Sequence, residues 1–160
     1  MKLSIGNGCV INMKINGTKI NNFSVSEFSE DPLKHAEPEL IIRLDQLRDL
    51  IGKPIYPSPV KGALARFSGR NTSRHYALNR LSDACDVFIE GDKFETYTKI
   101  LRSNLFPRMG LYFDTQYRNK PWMMLHLDLK PKPLLWYRDI TYHYEQEENF
   151  YTNLHKYLRG

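Results

Sequence analysis

Three observations predict an α+β domain. Residues 38–51 set Leu40, Ile41, Leu44, Leu47, Leu50 and Ile51 at helical spacing. Residues 84–89 and 122–129 read as strands, and Asn16-Gly17 is the dipeptide of a two-residue hairpin turn. At 160 residues the chain suits a single domain, 1–160, with a substantial core, and is too short for two.

The elements follow in order. Val10–Lys14 and Lys19–Phe23 are expected to be the arms of the hairpin around Asn16-Gly17. Pro38 stands at a favoured first-turn position of the long helix and Gly52 stops it. Pro54–Pro57 is extended, with too much proline for a long central strand. Residues 60–80 combine glycine, serine, asparagine and basic residues without an apolar period. Lying between patterned elements, they read as a functional loop. Ala84–Ile89 is a strand ended by Glu90-Gly91-Asp92, and Phe94–Leu105 a helix whose buried stripe is expected to be Phe94, Tyr97, Leu101 and Leu105. Gly110–Phe113, Trp122–Leu129 and Leu134–Tyr137 are further strands, and Asn149–Leu158 a final helix.

Composition narrows the function. The apolar fraction is 41%, and no run approaches the roughly 20 apolar residues that span a bilayer; membrane insertion is not expected. The first eight residues hold no apolar stretch, so no secretory signal is expected. Lysine plus arginine number 23 against 18 acids, a net charge of +5, which suits an anionic neighbour. The basic residues are scattered, so nucleic acid is not the expected partner. Cys9 and Cys85 lie far apart, which argues against a disulfide framework or a cysteine zinc knuckle.

Two segments carry chemistry. In 122–129 alternate side chains separate into an apolar face of Met123, Leu125, Leu127 and Leu129 and a second face of Trp122, Met124, His126 and Asp128. A histidine and an aspartate side by side on a rigid strand suit a metal ligand with a neighbouring acid. Taken alone, the pattern is also that of a half-exposed strand with a polar outer face. In the second segment, Ser73-Arg74-His75 precedes Asp83-Ala84-Cys85-Asp86-Val87, where Asp86 faces away from Cys85 and Val87. Cys85 is then a small buried hydrophobe. A hydrolytic zinc ion takes three nitrogen or oxygen ligands and keeps a fourth position open. His75, Asp86 and His126 would supply such a set. His35, His143 and His155 are expected at the surface.

Together these pieces resemble the Ser-x-His, Ala-x-Asp, His-x-Asp pattern of the D-alanyl-D-alanine carboxypeptidase family, zinc peptidases sharing a fold with the hedgehog signalling domain. Phe23–Phe28, Leu44–Arg48, Gly52–Ile55 and Gly110–Phe113 resemble its entry segment, first helix, following strand and the strand before the last ligand. The resemblance covers roughly residues 23–137, leaving 1–22 as a hairpin extension and 138–160 as a tail or helix. It implies a small antiparallel sheet with helices packed on one side, and one zinc ion on His75, Asp86 and His126. It also implies an oxyanion-stabilising arginine before His75, Arg66 or otherwise Arg70; either is equally readable as a solvated loop charge. Two departures stand out. Tyr76–Cys85 lengthens the first ligand spacing, with Ala77–Leu81 as a loop insertion, and Met123 occupies the position where branches of the family carry a catalytic glutamate. Asp128, with Asp114 behind it, is then the candidate general base or supporting acid, and Trp122 and Tyr112 are candidate pocket walls.

The implied function is a phage-like zinc peptidase cutting peptidoglycan stem peptides, of D,D-carboxypeptidase or endopeptidase type. It would reside in the host cytoplasm or virion and act at the cell wall. The alternative is a non-catalytic virion or assembly and binding protein that keeps the fold, with or without the metal, and has other virion proteins as partners.

Overall fold

The computed structural model describes residues 13–120, 122–138, 144–145 and 150–159. It is a mixed α+β fold with a two-stranded antiparallel hairpin, a six-stranded mixed sheet and helices.

The hairpin pairs β1 (Lys14–Ile15) with β2 (Thr18–Lys19). Asn16 and Gly17 both take positive φ, 48° and 80°, as a type I′ turn requires. Ile20–Phe23 does not continue the second arm, and Val10–Asn12 lies outside the described residues. Met13, Ile15 and Ile20 enter the main core. Backbone N–H groups of Asn21 and Asn22 donate to the Asp45 carboxylate at 3.2 and 2.8 Å. The hairpin is thereby fastened to the long helix.

Helix α1 (Pro32–His35) is a single turn capped by Asp31, and α2 runs Pro38–Ile51 with Gly52 at φ 67° as its left-handed stop. Leu40, Ile41, Leu44, Leu47 and Ile51 are buried. Leu50 is not part of that face: it is 53% exposed, because at 100° per residue it falls outside the arc of the others.

The remaining strands are β3 (Ile55–Pro57), β4 (Ala84–Ile89), β5 (Arg108–Tyr112), β6 (Met123–Asp128), β7 (Leu134–Arg138) and β8 (Tyr144–Glu145). Their order is β3-β4-β6-β5-β7-β8. Pro57 of β3 is tolerated at the edge, where a ladder donor is dispensable. All neighbours are antiparallel except β5 and β7. The sheet is thus mixed, where an antiparallel one was expected. The reason is topological: β6 returns beside β5, and β7 then crosses to the far edge of β5, so two reversals leave β5 and β7 parallel.

Helix α3 (Lys93–Ser103) starts at Asp92, whose carboxylate accepts from Glu95 N at 2.7 Å. Its buried stripe is Thr96, Tyr97 and Ile100. Phe94 and Leu101, expected inside, are 47% and 40% exposed, so the contact face is rotated from the purely apolar arc. The last helix, α4 (Phe150–Arg159), buries Leu154 and Leu158. Cys85, Val87 and Ile89 of β4, Met109 and Leu111 of β5, and Met123, Leu125 and Leu127 of β6 share one core with the helices. Among the described residues the opposite faces of these strands carry no covering helix; buried themselves in β4 and β6, they hold Asp86, His126 and Asp128 beside Phe88 and Met124.

Candidate metal centre

Strand register assembles the site. Asp86 of β4 stands opposite His126 of β6, His126 opposite Gly110 of β5, and Gly110 opposite Trp136 of β7. This row crosses the open face of the sheet. A Cβ on Gly110 would lie 2.0 Å from the Trp136 indole. The missing side chain therefore lets the indole lie over β5, with its ring centroid 5.6 Å from that of His126.

His75 arrives from the loop between β3 and β4. Arg66 N donates to His75 O at 2.6 Å and Ala77 N to Arg66 O at 2.7 Å, a bridge between two parts of the loop, and Asp86 N donates to Ala63 O at 3.0 Å, which ties the loop to β4. Arg74 is ion-paired with Asp83, and the fully buried Ser82 hydroxyl donates to Leu64 O. Leu78 and Leu81, in the lengthened spacing, are exposed. Residues 78–81 run over the surface.

Glu30 holds the other half of this loop. Its carboxylate accepts from Gly62 N at 2.6 Å, Ala65 N at 2.9 Å and Leu64 N at 3.2 Å. Burial opposes its ionisation, yet the bonds from Ser29 and these amides hold its pKa below the ordinary 4.5. The bonds therefore stabilise the fold above about pH 4.5 and fade as the pH falls through the lowered value. Glu30→Gln removes the charge and is expected to cost about 1–2 kcal/mol at pH 7, a drop in Tm of roughly 2–8 °C by calorimetry. The penalty should vanish in acid.

The ligand atoms converge tightly. His75 Nε2 lies 3.0 Å from His126 Nδ1, His126 Nδ1 lies 3.0 Å from Asp86 Oδ1, and His75 Nε2 lies 3.3 Å from Asp86 Oδ1. Donors about 2.0–2.1 Å from a tetrahedral zinc stand about 3.3 Å apart, so the triangle has the right size. All three residues are buried, at 3, 6 and 7% exposure for His75, Asp86 and His126. The group can hold a metal ion.

Asp128 sits on the other side of the His126 ring. Its Oδ2 lies 3.1 Å from His126 Nε2 and 3.3 Å from Arg108 Nε, and its Oδ1 accepts from Lys130 N at 2.9 Å. An ionised acceptor there accepts a hydrogen bond from Nε2–H and leaves Nδ1 to face the triangle. The structure thus gives Asp128 a positioning contact with His126. His75 Nδ1 is buried with no hydrogen-bond partner among the described residues.

The charges demand a cation. Burial disfavours a charged His126, but its bonds to Asp128 and Asp86 prevail and lift its pKa to about 9. Burial likewise opposes ionisation of Asp86; the charge on His75 and the bond to His126 overcome it and push Asp86 well below the ordinary carboxylate range. A proton or a metal ion can supply the positive charge.

Two clefts flank the triangle. One of about 370 Å³ includes Asp86, Phe88, Tyr112, Met124 and Arg138; the other, about 600 Å³, includes His126, Asp128, Arg108 and Trp136. Arg66 lines both, whereas Arg70 lines the second alone of these two. Asp114 lines neither; its Oδ1 accepts from Arg138 Nε and Nη2, each at 3.1 Å. Tyr112 is a pocket wall as expected, while Trp122 stacks on Tyr56 and Tyr117 at centroid distances of 4.9 and 5.1 Å. Burial, then the negative Asp86, keeps the Tyr112 phenol protonated far above its ordinary pKa. His35 is half-buried and His155 exposed; Cys9 and His143 lie outside the described residues. Sequence reasoning missed Arg108, Trp136 and Glu30.

No family model matches the chain, and comparison with curated proteins and solved structures gives no significant match.

Proposed function

We propose that the chain is a zinc-dependent peptidase of the D-alanyl-D-alanine carboxypeptidase type, with the corresponding hedgehog-like fold, acting on peptidoglycan stem peptides. The observation that supports it best is the buried triangle of two imidazole nitrogens and one carboxylate oxygen at the meeting of two clefts. Three protein donors leave room for a reacting group, whereas structural zinc is usually closed by four.

Bound there, zinc would supply Lewis acidity and a water of near-neutral pKa. The chain's residues do the rest. Asp128 fixes the His126 tautomer, and Arg108 and Lys130 N fix Asp128. Arg66, shared by the two clefts, would offer its guanidinium to negative charge on a bound carbonyl oxygen. Tyr112 offers a neutral O–H donor from the smaller cleft.

One observation favours the second reading, a non-catalytic virion or assembly protein. Met123 faces the core, Asp128 is engaged at the far ring nitrogen and Asp114 is paired with Arg138. Neither candidate base, Asp128 or Asp114, presents a free carboxylate to the triangle. Incubating the zinc-loaded chain with purified peptidoglycan decides between them. Release of D-alanine or new amino groups, lost in His75→Ala, is the expected result. No release from fully zinc-loaded protein would sink the peptidase reading.

A further inference from the structure

The open face of the sheet changes character along the strands. Phe88, Met124 and Tyr112 form one row, register partners across β4, β6 and β5. Two residues further on, about 7 Å, comes the row of Asp86 and His126. Two residues beyond that, Asp128 stands beside Arg108. An apolar row, a ligand row and the cationic Arg108 row thus follow one another along the sheet, and Lys61, Arg66, Arg118 and Arg138 also line the cleft at the apolar end.

The cleft at the cationic end receives Arg66, Arg70, Arg74 and Arg108. Arg74 is neutralised by Asp83, which is not part of the cleft wall, and Arg108 is shared with Asp128. Asp128 is the one carboxylate on that wall among the described residues; it is fully buried and both its oxygens are engaged. Arg70 is exposed at the rim, close to the hydroxyl-bearing Thr72 and Ser73 on the same wall. The cleft is therefore cationic and carries donors suited to a planar anion.

We propose that this cleft is a carboxylate subsite, in which Arg70 and Arg108 bind an acidic group carried within the peptide chain about two residues from the bond placed at the ligand triangle. The proposal rests on the peptidase reading for its ligand and deepens it. An extended peptide covers the distance between the rows in two residues.

The test uses the full chain and two pentapeptides, L-Ala-γ-D-Glu-L-Lys-D-Ala-D-Ala and the same peptide with its internal glutamyl α-carboxylate amidated. Both keep the same terminal carboxylate. By calorimetry the free acid is expected to bind about tenfold more tightly, the worth of one charge-assisted contact. Arg70→Gln should shrink that preference and Arg70→Glu reverse it, with zinc content unchanged. Equal affinity of the wild type for both peptides, or a preference untouched in both variants, overturns the assignment. Inorganic phosphate is the third probe. Weak competition agrees with a peptide carboxylate, whereas phosphate binding tighter than the free acid overturns it in favour of a phosphoryl ligand. A chain that holds no zinc yet keeps the preference removes the peptidase reading alone; zinc retained without a preference removes the subsite alone.

Discussion

Zinc added to the metal-free protein is expected to raise its unfolding free energy by about 2.7 kcal/mol at a hundredfold excess over Kd, and His126→Ala is expected to abolish the response. The pH dependence makes the expectation specific. In the metal-free fold, His126 is raised from 6.5 to about 9. A group with a raised folded pKa stabilises fully below its unfolded value and loses that contribution as the pH climbs through the folded one. The metal-free protein should therefore lose up to about 3 kcal/mol between about pH 6.5 and 9. Zinc runs the other way. It must displace the Nδ1 proton, so its affinity rises with pH across the same window.

The two slopes cross in one protein, and His126→Ala removes both. That variant also leaves Asp86 and Asp128 buried without their shared partner, at a cost of about 3 kcal/mol. His126→Gln, which keeps a hydrogen-bonding group between the two carboxylates, serves as the folded control. The measurement is denaturant unfolding with and without zinc from pH 6 to 9. A zinc response that survives in both variants, or one that grows toward acid, would place the metal elsewhere.

What the sequence disclosed follows from the range of each interaction. The Asn16-Gly17 turn, the Pro38 start and the Gly52 stop are set by neighbours in the chain, and each appears where expected. The alternation of β6 is equally local, and it placed His126 and Asp128 on the open face and Leu125 and Leu127 in the core. The face of α3 was not legible, because Phe94-Tyr97-Leu101 and Thr96-Tyr97-Ile100 are both admissible helical arcs, and contact with the neighbouring elements chooses between them. Strand order was the larger gap. Nothing local in Arg108–Tyr112 tells that β6 lies on one side and a parallel β7 on the other. Without that order Arg108 cannot be put beside Asp128, nor Trp136 beside His126. The ligand set was legible as three residue types in sequence; that their donor atoms form a triangle of 3.0–3.3 Å depends on the bridged loop and the Asp86–His126 register.

Gly110→Ala is expected to be among the most damaging single-methyl additions in this chain. Gly110 has no left-handed backbone to protect, so the penalty is steric. Its Cβ would stand 2.0 Å from Trp136 Cζ2 and 2.2 Å from Cε2. The indole cannot simply slide, since Tyr112 meets it edge-on at 5.3 Å and Tyr144 lies against it at 5.5 Å. Overpacking of this kind costs about 1–3 kcal/mol. The indole also walls His126, so its displacement should weaken zinc binding about tenfold, the lower end of what losing a ligand's supporting contact does. Shortening the partner supplies the control. In Gly110→Ala/Trp136→Leu the added methyl meets a smaller side chain, and the second substitution should recover more than about 1 kcal/mol relative to simple addition. Denaturant titration of the two single variants and the double gives the coupling directly. Strict additivity, or a Gly110→Ala cost under about 0.5 kcal/mol, would show that the indole does not rest on Gly110. The row from Asp86 to Trp136 would then lose its outer wall, and His126 would depend on its polar partners Asp128, Asp86 and His75 for its orientation.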